Sequence, residues 1–158
     1  MHRFSIALAA SLTVVCLGCH SATPVATSSP AATSQEAAPA AALFETRWVV
    51  RQLGNQKIVV PEGGQEAYLL LRRAGTAEGQ GSCNHFRGSA STDSVNALTF
   101  SPLRSTRMAC PALATEQAFT QALAATHSYR ISGDTLRLYA ATEPGTTPLA
   151  QLEAVYLH

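Results

Sequence analysis

Nineteen of the 23 positions from His20 to Ala42 are Ala, Ser, Thr or Pro, with one charge, Glu36, and no aromatic side chain. Such a stretch has too little apolar surface to offset the entropy of ordering it. Pro24, Pro30 and Pro39 also forbid one continuous Ala-rich helix, since an internal Pro costs about 3 kcal/mol. Composition therefore predicts a flexible spacer, spanning roughly 25 to 30 Å as a coil and up to about 70 Å in polyproline geometry. The 46% hydrophobic content of the 158 residues then overstates the core, because much of it is Ala in the first 42 positions. Folding falls to the remainder, from about Phe44 onward, which is long enough to bury a real core.

Ahead of the spacer, Met1 to Arg3 carries one fixed positive charge and Phe4 to Val15 is apolar. This is the length of a signal-peptide core and too short for a stable membrane span of about 20 residues. Cys16-Leu17-Gly18-Cys19 follows, with a small residue before the second cysteine and a polar stretch after it. The segment resembles the bacterial lipoprotein signal, although Cys16 stands where that family usually has Leu. The resemblance implies cleavage after Gly18 and lipid on Cys19, giving a membrane anchor of two or three acyl chains, where one would bind only marginally. With His20 and Ser21 next and no Asp, the enteric-type sorting rule implies the periplasmic face of the outer membrane. The expected division is a signal peptide over 1–18, a lipidated cysteine and tether over 19–43, and a folded domain over 44–158.

Within that domain the pattern is mostly strand. Thr46 to Leu53 carries the only Trp, Trp48, and Ala67 to Arg72 is a Tyr/Leu run. Ala97 to Phe100, Ser128 to Ile131, Thr135 to Tyr139 and Leu149 to Leu157 repeat the β-rich style. Gly54-Asn55, Gly63-Gly64, Gly133-Asp134 and Pro144-Gly145 are turn signals between them. From Ala112 to about Thr126 the period changes: Phe119 and Leu123 lie four apart, Ala112 and Ala122 complete the stripe, and Pro111 suits a first helical turn. Short links favour an antiparallel sheet.

Gly79, Gly81, Cys83, Asn84, Phe86 and Gly88, then Leu98-Thr99-Phe100, then Ser105-Thr106-Arg107-Met108-Ala109-Cys110 and Glu116, occur in the order and spacing of a known family. With Trp48, Val50 and Leu53 before them and Tyr129, Ile131, Leu136 and Leu138 after the helix, the chain resembles a META domain of the HslJ type. The resemblance implies an α+β fold, a strongly twisted antiparallel sheet curled toward a cracked barrel with one main helix. It also implies an envelope protein linked with stress or antibiotic tolerance, and it brings no catalytic residues with it.

Lipid on Cys19 leaves two exported cysteines, Cys83 and Cys110, and an oxidising compartment favours their pairing. Two other readings use the same sulfurs. Cys83, His85, Cys110 and His127 have the ligand types of a tetrahedral zinc cage, though not the spacing of a known finger. Alternatively, Cys83 with His85 or His127 would make a small periplasmic hydrolase, which requires a free thiolate and an oriented base. A third alternative is a lipid carrier using a barrel-like cleft. Asn84 is expected to satisfy backbone groups at an irregular strand. Arg72, Arg73, Arg87, Arg104 and Arg107 form a candidate cationic face. The formal net charge of +1 opposes nucleic-acid binding, which needs a clustered basic surface. No nucleotide loop, metalloprotease or serine-hydrolase motif occurs. The expectation is a non-enzymatic, cofactor-free and metal-free lipoprotein whose domain meets an envelope protein or a lipid.

Overall fold

The computed structural model describes residues 39–60, 62, 65–145 and 147–156. The signal segment, Cys19 and nearly all of the tether lie outside these residues. Ala41 and Leu43 are already buried in the core, and the Ala41 amide donates to the Gly133 carbonyl at 3.0 Å. The packed chain thus begins slightly before the position that composition suggests, because alanine reads as spacer yet fits a tight core position.

In chain order the elements are β1 (Arg47–Leu53), β2 (Gln56–Lys57), β3 (Tyr68–Leu71), β4 (Thr76–Gln80), β5 (His85–Ser91), β6 (Thr99–Phe100) and β7 (Arg104–Ser105). These are followed by α1 (Leu113–Ala124), β8 (Ser128–Ser132), β9 (Thr135–Tyr139) and β10 (Ala150–Val155). The strands form one ten-stranded sheet in the order β6-β5-β4-β3-β1-β10-β9-β8, with β2 on β1 and β7 on β5. Every pairing is antiparallel. The far edges nearly meet: Ala97 bridges Ser128, the Leu98 amide donates to the His127 carbonyl, and the Tyr129 amide donates to that of Asn96. Among the described residues the result is a barrel-like sheet with a seam and one helix, as the resemblance implied.

Alternation puts Trp48, Val50, Leu69, Leu71, Leu136, Leu138 and Leu152 inside, and α1 closes the core with Phe119 and Leu123. Trp48 is fully buried, and its indole N–H donates to the Leu43 carbonyl at 3.0 Å, which removes the cost of burying that polar atom. Phe86 meets Phe119 edge-on at 5.8 Å, tying β5 to the helix. Beyond the Gly-rich segment, β4 and β5 had little hydrophobic alternation to announce them. Small residues take its place there: a Cβ on Gly79 would strike the Tyr68 carbonyl and the Phe86 ring, so glycine permits this close strand approach.

Candidate functional site

Between β4 and β5 the chain turns tightly through Gly81–Asn84, closed by the Gly81 amide donating to the Asn84 carbonyl at 2.8 Å. Ser82 takes a φ of 109° there, a conformation that L-residues rarely occupy. Its hydroxyl donates to the Gln65 carbonyl at 3.1 Å, and the Gln65 amide donates back to the Ser82 carbonyl at 2.9 Å. The surrounding bonds hold the strained residue in place.

Glu116 organises the other side of this turn from the first turn of α1. It is buried, and one carboxylate oxygen accepts the backbone amides of Cys83 at 3.1 Å and Asn84 at 2.7 Å. Its second oxygen accepts the Asn84 side-chain amide at 3.0 Å. That Asn84 nitrogen also donates to the Met108 carbonyl at 3.0 Å, while the Asn84 oxygen accepts from the Thr106 hydroxyl at 2.9 Å and the Met108 amide at 2.7 Å. The Asn84 amide is therefore saturated in both senses, and its orientation is fixed by its partners. Asn84 thus satisfies backbone groups at an irregular strand, as its residue type suggests, and the burial of the carboxylate opposite it has no signal of its own in the sequence.

Cys83 and Cys110 form a disulfide with Cα atoms 5.8 Å apart. Both sulfurs are occupied, so the thiolate that a nucleophile or a zinc cage needs exists only in the reduced chain. His85 and His127 are exposed, and His127 Nδ1 lies 3.1 Å from the Ala125 carbonyl. Among the described residues, no group of three or more His, Cys, Asp or Glu side chains converges on a metal-sized site.

The disulfide and the Asn84 amide anchor one end of an extended strap, residues 101–110. At its other end the Ser101 amide donates to the Ser89 carbonyl, and its hydroxyl accepts the Ser89 amide at 2.9 Å. A cleft of about 860 Å³ separates the strap from α1. Leu103, Arg104, Thr106, Arg107 and Met108 wall one side, Leu113, Gln117, Thr120 and Gln121 the other, and Asn84 and Glu116 form the floor. The helix residues recur at the spacing of one helical face, a signal present in the sequence but polar enough to read as solvated surface. Met108 and Leu113 leave apolar side chains exposed at the rim, 57% and 38% accessible.

The structure brings together Gly81, Cys83, Asn84, Thr106, Met108, Cys110 and Glu116. Trp48 stays in the core, and Phe86 supports the site from below. Gly88 lies under Leu103, whose methyl carbon would be 2.6 Å from a Cβ at that position. Gly81 faces Glu116 in the same way: a Cβ there would lie 2.6 Å from the Glu116 Cγ. Gly81→Ala should consequently push the carboxylate off its three donors. We expect a loss of roughly 1 to 3 kcal/mol, checked by urea unfolding, whereas Gly133→Ala, with open space around it, should show only the backbone cost of a positive φ.

The arginines divide into two sets. Arg47, Arg51 and Arg72 pair with Glu66, Glu153, Glu45 and Glu78 at 2.8 to 3.5 Å. Hydrogen bonds from Arg72 and from the Arg73 amide hold the exposed Glu45 carboxyl below the usual range. Bonding to Glu153, and then to Glu66, raises the Arg51 guanidinium. Arg87 and Arg104, by contrast, sit directly opposite each other across β5 and β7, with no carboxylate within 4 Å among the described residues. Like charges in that arrangement repel. Arg107 follows two positions past β7. Of the five arginines suggested by sequence, Arg87 and Arg104 are neighbours across the ladder, Arg107 has no carboxylate partner among the described residues, Arg73 offers its backbone amide to Glu45, and Arg72 is neutralised.

A family model for the META domain matches residues 41–153. An NMR structure of a protein from Burkholderia xenovorans superposes with a TM-score of 0.55 at 26% identity, covering 72% of this chain and 83% of that one. A second NMR structure gives a TM-score of 0.51 at 18% identity over 69% of this chain and 86% of the other, a likeness of fold. No curated protein matches.

Proposed function

The chain belongs to the META domain family, and on that premise we propose that it is a non-enzymatic cell-envelope lipoprotein, linked to envelope stress or antibiotic tolerance. Its META domain acts as an interaction module at the end of a lipidated tether. The observation that carries this reading is how the cleft is built. Its polar floor is spent internally, since Asn84 and Glu116 direct their hydrogen-bonding groups at the turn and the strap. What faces outward is the apolar rim of Met108 and Leu113, the guanidinium groups of Arg104 and Arg107 and the amides of Gln117 and Gln121, a mixed lining that suits binding. A paired Cys83–Cys110 fits an oxidising compartment, and the Cys16-Leu17-Gly18-Cys19 signal supplies the attachment to the membrane. The anchor belongs to the membrane and the cleft to a partner in the periplasm.

Two measurements test the halves separately. The mass of the mature chain should correspond to cleavage before Cys19 plus a diacylglyceryl group, and Cys19→Ser should release the protein from the membrane fraction. An unmodified mature mass would overturn the anchor. A photoreactive residue at Gln121, on the exposed wall of the cleft, should crosslink to an envelope component in whole cells. The same residue at Gln56, in the exposed strand β2, should not.

A further inference from the structure

The strap that walls the cleft is also an unpaired sheet edge. The Thr106 amide donates to the His85 carbonyl at 3.1 Å, and the register sets Phe86 opposite Ser105 and Arg87 opposite Arg104. In an antiparallel ladder, hydrogen-bonded and non-hydrogen-bonded pairs alternate. Positions 85/106 and 87/104 are the bonded pairs, so the N–H and C=O of Ser105 point away from β5, and Ser105 lines the cleft that it shares with α1. The Met108 amide is committed to Asn84, which leaves Arg107 in the same outward sense as Ser105. An open edge beside a helix, with a cleft between them, has the shape that accepts an added strand. Pro102 and Pro111 bound this edge, as prolines bound edges elsewhere, and leave room for a short segment.

Charge decides what that segment is. Arg104 and Arg107 line the cleft without an ion-pair partner among the described residues, and Arg87 adds a third cation across the sheet. A second copy of this edge would bring arginine against arginine, so pairing with itself is disfavoured. Resting on the reading of the domain as an interaction module, we propose that the cleft takes an extended, acidic segment of an envelope protein, added as a strand to the outer edge of residues 103–107. The partner's backbone pairs with Ser105 and Arg107. Arg104 and Arg107 stand an odd number of positions apart, so the segment's carboxylates meet them on opposite faces of the added strand, and an apolar side chain on the Arg104 face rests on Met108 and Leu113.

The test uses the whole mature chain in nonionic detergent, panned against a random octapeptide library, and follows the best peptide by fluorescence anisotropy and amide hydrogen exchange. Acidic sequences should be enriched, and the Ser105 and Arg107 amides should become protected in the complex. N-methylation of alternate peptide nitrogens should weaken binding about tenfold or more, because a strand that cannot donate cannot join the ladder. Arg104→Glu/Arg107→Glu, two exposed substitutions outside the core, should shift the selected peptides from acidic to basic. Selection without acidic bias, tolerance of N-methylation, or protection mapping elsewhere would each overturn the proposal. So would binding confined to phosphatidylglycerol vesicles, which would make the arginines a lipid contact. A crosslinked protein partner at Gln121 without protection at Ser105 would remove strand addition while leaving the interaction module standing. No crosslink at all would remove the module as well.

Discussion

Replacing Glu116 with Ala should destabilise the domain by about 3 to 5 kcal/mol, since it strips a buried network of its only anion. Three N–H groups, those of Cys83, Asn84 and the Asn84 side chain, converge on this carboxylate. The carboxylate is nearly buried at the floor of the cleft, so water entering from the cleft replaces the lost acceptor for only part of the three donors. Glu116→Gln is the sharper variant. Its oxygen can keep the two backbone amides, but its NH₂ then faces the Asn84 NH₂, two donors in opposition. Asn84 cannot resolve this by flipping, because its oxygen already accepts from Thr106 and Met108. The glutamine should therefore cost about 2 to 3 kcal/mol despite nearly unchanged volume, the cost of a buried donor left without an acceptor. Asn84→Asp added to Glu116→Gln restores a donor-to-acceptor contact between the two side chains while spoiling the contact to the Met108 carbonyl. Partial recovery in the double variant, measured by urea unfolding of the oxidised protein, is the expected result. Simple additivity would mean the two side chains do not act as a pair.

This network also marks where sequence stopped being informative. Wherever large apolar side chains carry the pattern, the elements were readable: β1 around Trp48, β9 over Thr135–Tyr139, and the stripe of Phe119 and Leu123 on α1. The pattern fails at β4 and β5, where Ala77, Gly79 and Gly88 pack by closeness and leave almost no side-chain periodicity. Glu116 was legible as a motif member but not as a buried one, because a glutamate in a first helical turn is ordinarily explained by the helix dipole. Only the arrival of the Gly81–Asn84 turn from elsewhere in the chain turns it inward. The cleft was hidden for a related reason. Leu113, Gln117, Thr120 and Gln121 lie on one helix face, yet a mostly polar face looks like any solvated one, and what gives it meaning is the strap opposite.

The second large effect belongs to the disulfide. Cys83 and Cys110 are 27 positions apart, and removing that loop constraint from the unfolded chain should lower stability by roughly 3 to 4 kcal/mol on the chain-entropy account. Cys83→Ala/Cys110→Ala should accordingly lower the melting temperature by about 10 °C or more. Dithiothreitol applied to the unsubstituted protein should reproduce that shift within error. The loss should not be spread evenly over the molecule. Hydrogen exchange should accelerate most in the strap around Thr106 to Ala109, whose remaining ties are the Asn84 amide and the Thr106–His85 bond, and least in β1 and β10, whose partners lie on both sides. Glu116 and the disulfide hold the same turn from two directions, one through the helix and one through the strap. Their losses should therefore be coupled: Glu116→Gln should cost about 1 kcal/mol less in the reduced chain than in the oxidised one, because a turn already loosened has less order left to lose. Equal costs in both states would show that the carboxylate organises the turn alone, with the disulfide acting on the unfolded chain only.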